Sequence, residues 1–201
     1  MEKVRQPIQE RSIEKKNRII QAAFEEFSSS GYYNTTTAAI AKRAEVSTGI
    51  VYGYFKDKKD ILRYVLQIYA DKVTKPVLDV INGLNNGSNL TQSVENIMDI
   101  TMRIHKDNAH LHNILHSLAV TDKDVNAEFI AIEDLITRAA SEQIKKCGIK
   151  LVATEEKVHL SMNLIQSFVH ESVYDRHDYI NYDIMKKDVC NIVCSLLSDY
   201  N

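Results

Sequence analysis

Residues 35–62, TTTAAIAKRAEVSTGIVYGYFKDKKDIL, decide the fold. Ile40, Ala41 and Ala44 fall on one helical face, and Thr36 or Thr37 is a natural N-cap, which predicts a short helix over 37–44. Two linking residues, Glu45 and Val46, follow. Ser47 then caps a second helix whose inward contacts are Val46, Val51 and Phe55. That helix contains Gly49 and Gly53, and each glycine costs an exposed helix interior roughly 1 kcal/mol relative to alanine. Lys56 and Asp57 make a break, and a longer helix begins near Lys58. Two short helices joined by a tight turn, the second rich in small and hydroxyl residues, outline a helix-turn-helix.

Outward from this stretch the pattern stays helical. Ile20, Ala23, Phe24 and Phe27 give i, i+3, i+4, i+7 spacing for a helix over 13–30, closed by Ser-Ser-Ser-Gly at 28–31. The helix from Lys58 carries Ile61, Leu62, Val65, Leu66 and Tyr69 in register, and Pro76 is expected to end or kink it. NGLNNGSN at 82–89 reads as the clearest loop. Further helices are expected at 90–106, 109–120, 124–147, 154–176 and 183–199. With two prolines, six glycines and no tryptophan in 201 residues, the chain reads as all-α.

The last two helices are apolar on more than one face. Val158, Met162, Ile165, Val169 and Ser172 make one stripe, extended by Leu164 and Phe168. Met185, Val189, Ile192, Val193, Leu196 and Leu197 make the other. So wide an apolar surface suggests pairing with a second copy as a four-helix bundle, with Val158, Ile165, Val169, Val189, Ile192, Val193 and Leu196 at the interface. A large core within one chain is the alternative.

The formal net charge of −2 is unevenly spread: residues 1–60 hold 11 Lys/Arg against 8 Asp/Glu, and the rest 14 against 19. A basic front suits a polyanionic partner. The start has no apolar signal core and no run is long enough to span a bilayer, so a cytoplasmic protein without membrane contact is expected. Cys147, Cys190 and Cys194 are read as reduced thiols. His112 and His116 have metal-compatible i, i+4 spacing within the cluster His105, His110, His112 and His116. No carboxylate or cysteine in that helix completes a set, so a half-solvated face is expected, with no metal and no cofactor. His170 and Glu171 do not make an HExxH site, because position 174 is Tyr. No nucleophile elbow, phosphate loop or metal constellation organises an active site, which argues against an enzyme.

The Thr pair, Ile-Ala followed by Ala, V-S-x-G, Y-x-Y-F and the lysine opening the next helix resemble the DNA-binding domain of the TetR family of bacterial transcriptional regulators. So many fixed spacings within 28 residues are specific. The resemblance implies a DNA-binding domain over 13–73, with the helix-turn-helix at about 36–55. It implies a second, helical ligand-binding and dimerisation domain over 74–201. It further implies a homodimeric repressor that leaves a palindromic double-stranded operator when a small, largely apolar effector binds, shifting the long helix and so the spacing of the two heads.

Physical reasons accompany the individual positions. Gly49 lacks the Cβ that would hold the backbone away from base edges. Thr36, Thr37, Ser47 and Thr48, at helix starts, can reach phosphates. The resemblance places the Tyr52 hydroxyl on a phosphate, Tyr54 on the other flank of the groove, and Lys58 on a phosphate. Ile50 faces DNA and can pack on a thymine methyl. The chain departs from the family at Glu45, where glycine is usual in a turn that needs φ > 0, so either the turn costs about 1 kcal/mol or it takes another shape. Arg5, Arg11, Lys15, Lys16 and Arg18 form either a minor-groove arm or a solvated tail. In the second domain Met98, Met102, Phe129, Met162 and Phe168 are adaptable apolar candidates for an effector pocket, with Gln166 to orient a polar group. Membership of the plain core is the alternative for each.

Overall fold

The computed structural model describes residues 8–198. Arg5 and Asp199 lie outside them. Within them the chain is helical with no strand: α1 Ile8–Ser30, α2 Thr37–Arg43, α3 Thr48–Tyr54, α4 Lys58–Asn82, α5 Leu90–Asp107, α6 Ala109–Ala119, α7 Lys123–Lys146, α8 Thr154–Tyr174 and α9 Tyr182–Leu196. No helix among the described residues is long and apolar enough to cross a membrane.

Local chemistry sets the helix ends. Gly31 follows α1 at φ +81°, the left-handed position that ends many helices and that a Cβ disfavours. The Thr35 hydroxyl donates to the carbonyls of Gly31 (2.8 Å) and Glu26 (3.2 Å), which fixes the turn into α2. Asn89, Asp122 and Asn181 each accept N–H bonds at the starts of α5, α7 and α9, satisfying donors that helix starts leave without intrahelical partners.

Pro76 does not end α4, which runs through it to Asn82. The ring removes one intrahelical bond. Val73, Val77 and Ile81, one turn apart on the same face, are all buried, and their packing outweighs that loss.

The described chain divides into two compact units. The first holds the residues up to Tyr69 together with His110–Thr121; the second holds Ala70–Ala109 and the residues from Asp122 onward. The expected division placed the whole of 109–120 in the second domain, yet nearly all of α6 folds with the first unit. In that unit Phe27, Ile19, Ile40, Val51, Phe55, Ile61 and Leu62 are buried, as are Leu111 and Leu115 of α6. Gly31 marks the close approach: a Cβ there would lie 3.4 Å from the side chains of His110 and Ile114.

The histidines do not form the half-solvated face expected of them. His105 and His112 are buried, whereas His110 and His116 are exposed. His112 Nδ1 shares a hydrogen bond with the Tyr69 hydroxyl, and His116 packs on the His112 ring at 4.2 Å between centroids. Imidazole is half apolar, and a phenol partner lets one be buried without charge. Among the described residues no group of three or more His, Cys, Asp or Glu side chains is placed to hold a metal ion.

The second unit centres on Val94 and Met98 of α5, Ile165, Phe168 and Val169 of α8, and Tyr182, Val189, Cys190 and Val193 of α9. Val158, Ile165, Val169, Val189 and Val193, expected to face a second copy, are therefore buried in the chain's own core. Ile192 stays 50% exposed and Leu196 half-buried. The inner face of the stripe is packed here, and Ile192 stays on an outer face that also exposes Leu160 and Ile184. Burial and the neighbouring Cys194 push the Cys190 thiol up to about 11, so it stays protonated and inert at neutral pH.

Candidate functional site

In the first unit, α2 and α3 each bury one face and bare the other. Val51 and Phe55 anchor α3, and Ile40 and Ala41 anchor α2. Thr36, Ser47, Thr48, Gly49, Ile50 and Tyr52 are all exposed, and Thr37 is half-buried. The 3.6-residue period accounts for part of this division: Val51 and Phe55, i and i+4, point one way, leaving Gly49 and Ile50 outward.

The hydroxyls are arranged in use. Thr36 Oγ1 accepts from Ala39 N at 3.1 Å, and Ser47 Oγ accepts from Ile50 N at 3.3 Å. Each oxygen caps its helix while its proton remains to donate outward. The Tyr52 hydroxyl donates to Thr37 Oγ1 at 3.5 Å, so these two residues, fifteen apart in sequence, meet at the mouth between α2 and α3.

Two expected contact residues are engaged elsewhere. Tyr54 does not stand free on the groove's flank: it is half-buried, and its hydroxyl bonds Ser12 Oγ of α1 at 3.0 Å. Lys58 Nζ donates to the carbonyls of Tyr32 (2.7 Å) and Thr35 (2.8 Å) and sits 4.4 Å from the centre of the Tyr32 ring. Burial lowers its pKa from the usual lysine value. Two of its three donors thus clamp the turn between α1 and α2, leaving one for an outside acceptor. Lys16, of the basic start, lies 4.0 Å over the Tyr64 ring. Arg43 reaches Glu26 at 2.6 Å and Glu25 at 3.1 Å, holding α2 against α1.

Glu45 keeps the turn geometry that glycine would favour: its φ is +55°. The helix-turn-helix bend is retained at a cost of about 1–2 kcal/mol for a residue with a Cβ. Glu45→Gly is expected to stabilise the first unit by about 1 kcal/mol, less the entropy that glycine adds to the unfolded chain, as read by chemical denaturation of the purified protein. A loss of stability would contradict the strain.

The second unit holds a cavity of about 110 Å³ between α4, α5, α7, α8 and α9. Met162 and Gln166 line it. The other expected residues do not: Met98 and Phe168 are buried in the α5–α8–α9 core, Met102 packs against that core, and Phe129 of α7 is half-buried away from the wall. The walls come instead from aliphatic residues such as Val77, Ile97, Ile136 and Ile144, with Ser93 and Thr101. Their periodicity was readable in the sequence; that they face a void was not. Gln143 Nε2 holds the Leu84 carbonyl at 2.6 Å, fixing the 82–89 loop where Leu84 joins the wall.

Comparison with known proteins agrees with this geometry. The model of the family described as bacterial regulatory proteins, tetR family, matches residues 19–65. The chain is similar to the HTH-type transcriptional regulator HbdR of Aromatoleum sp. (strain CIB), 44% identical over 73 residues, which are 36% of this chain and 32% of that protein. The similarity thus spans about a third of the relative's length. Across nearly the whole chain the fold is similar to a TetR-family transcriptional regulator from Mesorhizobium loti MAFF303099, with TM-score 0.77 and 19% identity over 93% of this chain and 96% of that one. It is also similar to a transcriptional regulator from Saccharomonospora viridis in complex with choline, with TM-score 0.70 and 14% identity over 90% and 96% of the two chains. At such identities the solved structures speak for the fold.

Proposed function

We propose that this chain, whose residues 19–65 match the tetR family of bacterial regulatory proteins, is a homodimeric transcriptional repressor released from double-stranded operator DNA by a small, largely apolar molecule bound in its second unit. The observation that carries this reading is the exposed face of α2 and α3, where Thr36, Ser47, Thr48, Gly49, Ile50 and Tyr52 are exposed and the Tyr52 hydroxyl meets the half-buried Thr37. Small and hydroxyl-bearing residues admit a helix to the major groove and donate to its phosphates. The reading counts Lys58 as a phosphate contact through its third donor. Tyr54 serves by bracing α3 on α1.

Dimerisation is assigned to the outer face of α8 and α9, where Leu160, Ile184 and Ile192 are 48%, 58% and 50% exposed, with Leu196 beside them. A dimer brings two recognition helices to half-sites about one DNA turn apart, ~34 Å, which implies a palindromic operator. Helix α4 is unbroken and has residues in both units, so it is the element by which a change in the second unit reaches the first.

A gel shift on the DNA immediately upstream of the gene tests this. Tyr52→Phe removes one donor to a charged acceptor and is expected to weaken binding about 10-fold, equally on all operator variants. Unchanged affinity would remove Tyr52 from the interface. Ile50, 36% exposed, predicts a thymine at the step it faces. Equal binding after replacing that thymine with uracil would refute the methyl contact.

A further inference from the structure

The walls of the cavity in the second unit set the chemistry of what can enter. Every lining residue is uncharged and none is aromatic. A carboxylate or phosphate would find no Lys, Arg or His there. A quaternary ammonium would find neither a carboxylate nor the aromatic faces that usually cage such ions. Burying either ion without a partner is strongly disfavoured.

The polar groups on the wall are few, and most are already engaged. The Thr101 hydroxyl donates to Ile97 O at 2.7 Å, and the Ser161 hydroxyl to Lys157 O at 2.8 Å. Gln166, half-buried on α8, is the wall's one amide side chain and supplies both an acceptor oxygen and two N–H donors. The cavity, about 110 Å³, is of the same order as the roughly 150 Å³ apolar void that takes benzene. Ring-sized molecules are therefore its scale, with the flexible Met162 as the adaptable wall.

We propose that the second unit binds an uncharged, compact aliphatic molecule carrying one hydrogen-bonding group, such as an alcohol or ketone, with the Gln166 amide meeting that group and the aliphatic wall rejecting the corresponding acids and quaternary amines. This rests on the reading of the second unit as the effector site.

A matched set of probes tests it: cyclohexanol, cyclohexanecarboxylate and cyclohexyltrimethylammonium, titrated calorimetrically into the purified full chain. Cyclohexanol is expected to bind at least about tenfold more tightly than either ion. Gln166→Leu is expected to weaken cyclohexanol about 5- to 10-fold while methylcyclohexane binds at least as well as before, which also shows that the variant is folded. An ion binding as tightly as the alcohol, no binding by any of the three, or unchanged cyclohexanol affinity in Gln166→Leu would each overturn the proposal. Operator binding measured without any probe reports separately on the DNA-binding face, so a failure there and a failure here are distinguishable.

Discussion

Gly49→Leu is expected to leave the protein at least as stable as before and to weaken operator binding by about 100-fold, the equivalent of losing two contacts of ~1.4 kcal/mol each. The two halves of this expectation have separate causes. A Cβ built at Gly49 would meet only Ser47 Oγ, at 3.9 Å, so the folded chain has room for a side chain. Leucine also improves a helix interior by up to about 1 kcal/mol over glycine. Nothing within the chain therefore calls for glycine at this position. In the proposed reading the requirement comes from outside, because a recognition helix brings its N-terminal residues to base edges. Gly53→Ala is the control: its Cβ would have nothing within 4 Å, and it stands a turn further along, past the base-reading residues. It should gain similar helix stability and keep operator affinity within about twofold. Gel shifts and thermal melts of both variants decide the matter. An undiminished affinity in Gly49→Leu would move the interface off α3.

Gly49 also shows what kind of feature a sequence makes legible. A residue that is costly locally and useless to the core signals a demand from elsewhere, and the outward face of α3 was readable for that reason. Periodicity served equally well for the helices, because each buries one face and caps announce most ends. It served poorly wherever the question was what covers a buried face. Ile165 and Val169 carry the same apolar stripe whether a second copy or the chain's own α5 and α9 lie against them, and here they are buried in the chain's own core. Met98 and Phe168 pack in the α5–α8–α9 core rather than on the cavity wall, and an apolar side chain does not record whether it touches atoms or a void. Tyr54 turned inward because of Ser12, 42 residues earlier, a pairing with no local signature. Helix α6 folds with the first unit and buries Leu111 and Leu115, whose spacing names a face but no partner. Pro76 alone would favour an end to α4, and tertiary burial of Val73, Val77 and Ile81 carries the helix through it.

The core of the first unit supplies the second large effect. Phe55 ends α3 with its backbone N–H bonded to Val51 O at 3.0 Å, and its buried ring meets Tyr64 of α4 edge-on at 5.5 Å. Lys16 of α1 stands 5.8 Å from the same ring and 4.0 Å from that of Tyr64, so one side chain joins three helices. Phe55→Ala is expected to cost the first unit about 3–5 kcal/mol, the range for removing a buried phenyl ring. That is a large share of the ~5–15 kcal/mol that holds an ordinary domain. Helix α3 is too short at seven residues to persist without its anchor. Operator binding should disappear well below the temperature at which the wild type melts. The second unit has its own core of Val94, Met98, Phe168 and Val193 and does not contain Phe55, so its melting should stay near the wild-type value. Calorimetry of the variant should then resolve two transitions, with cyclohexanol raising only the upper one. A single transition lowered as a whole would mean that the two units unfold as one, and the assignment of separate stabilities to them would fail.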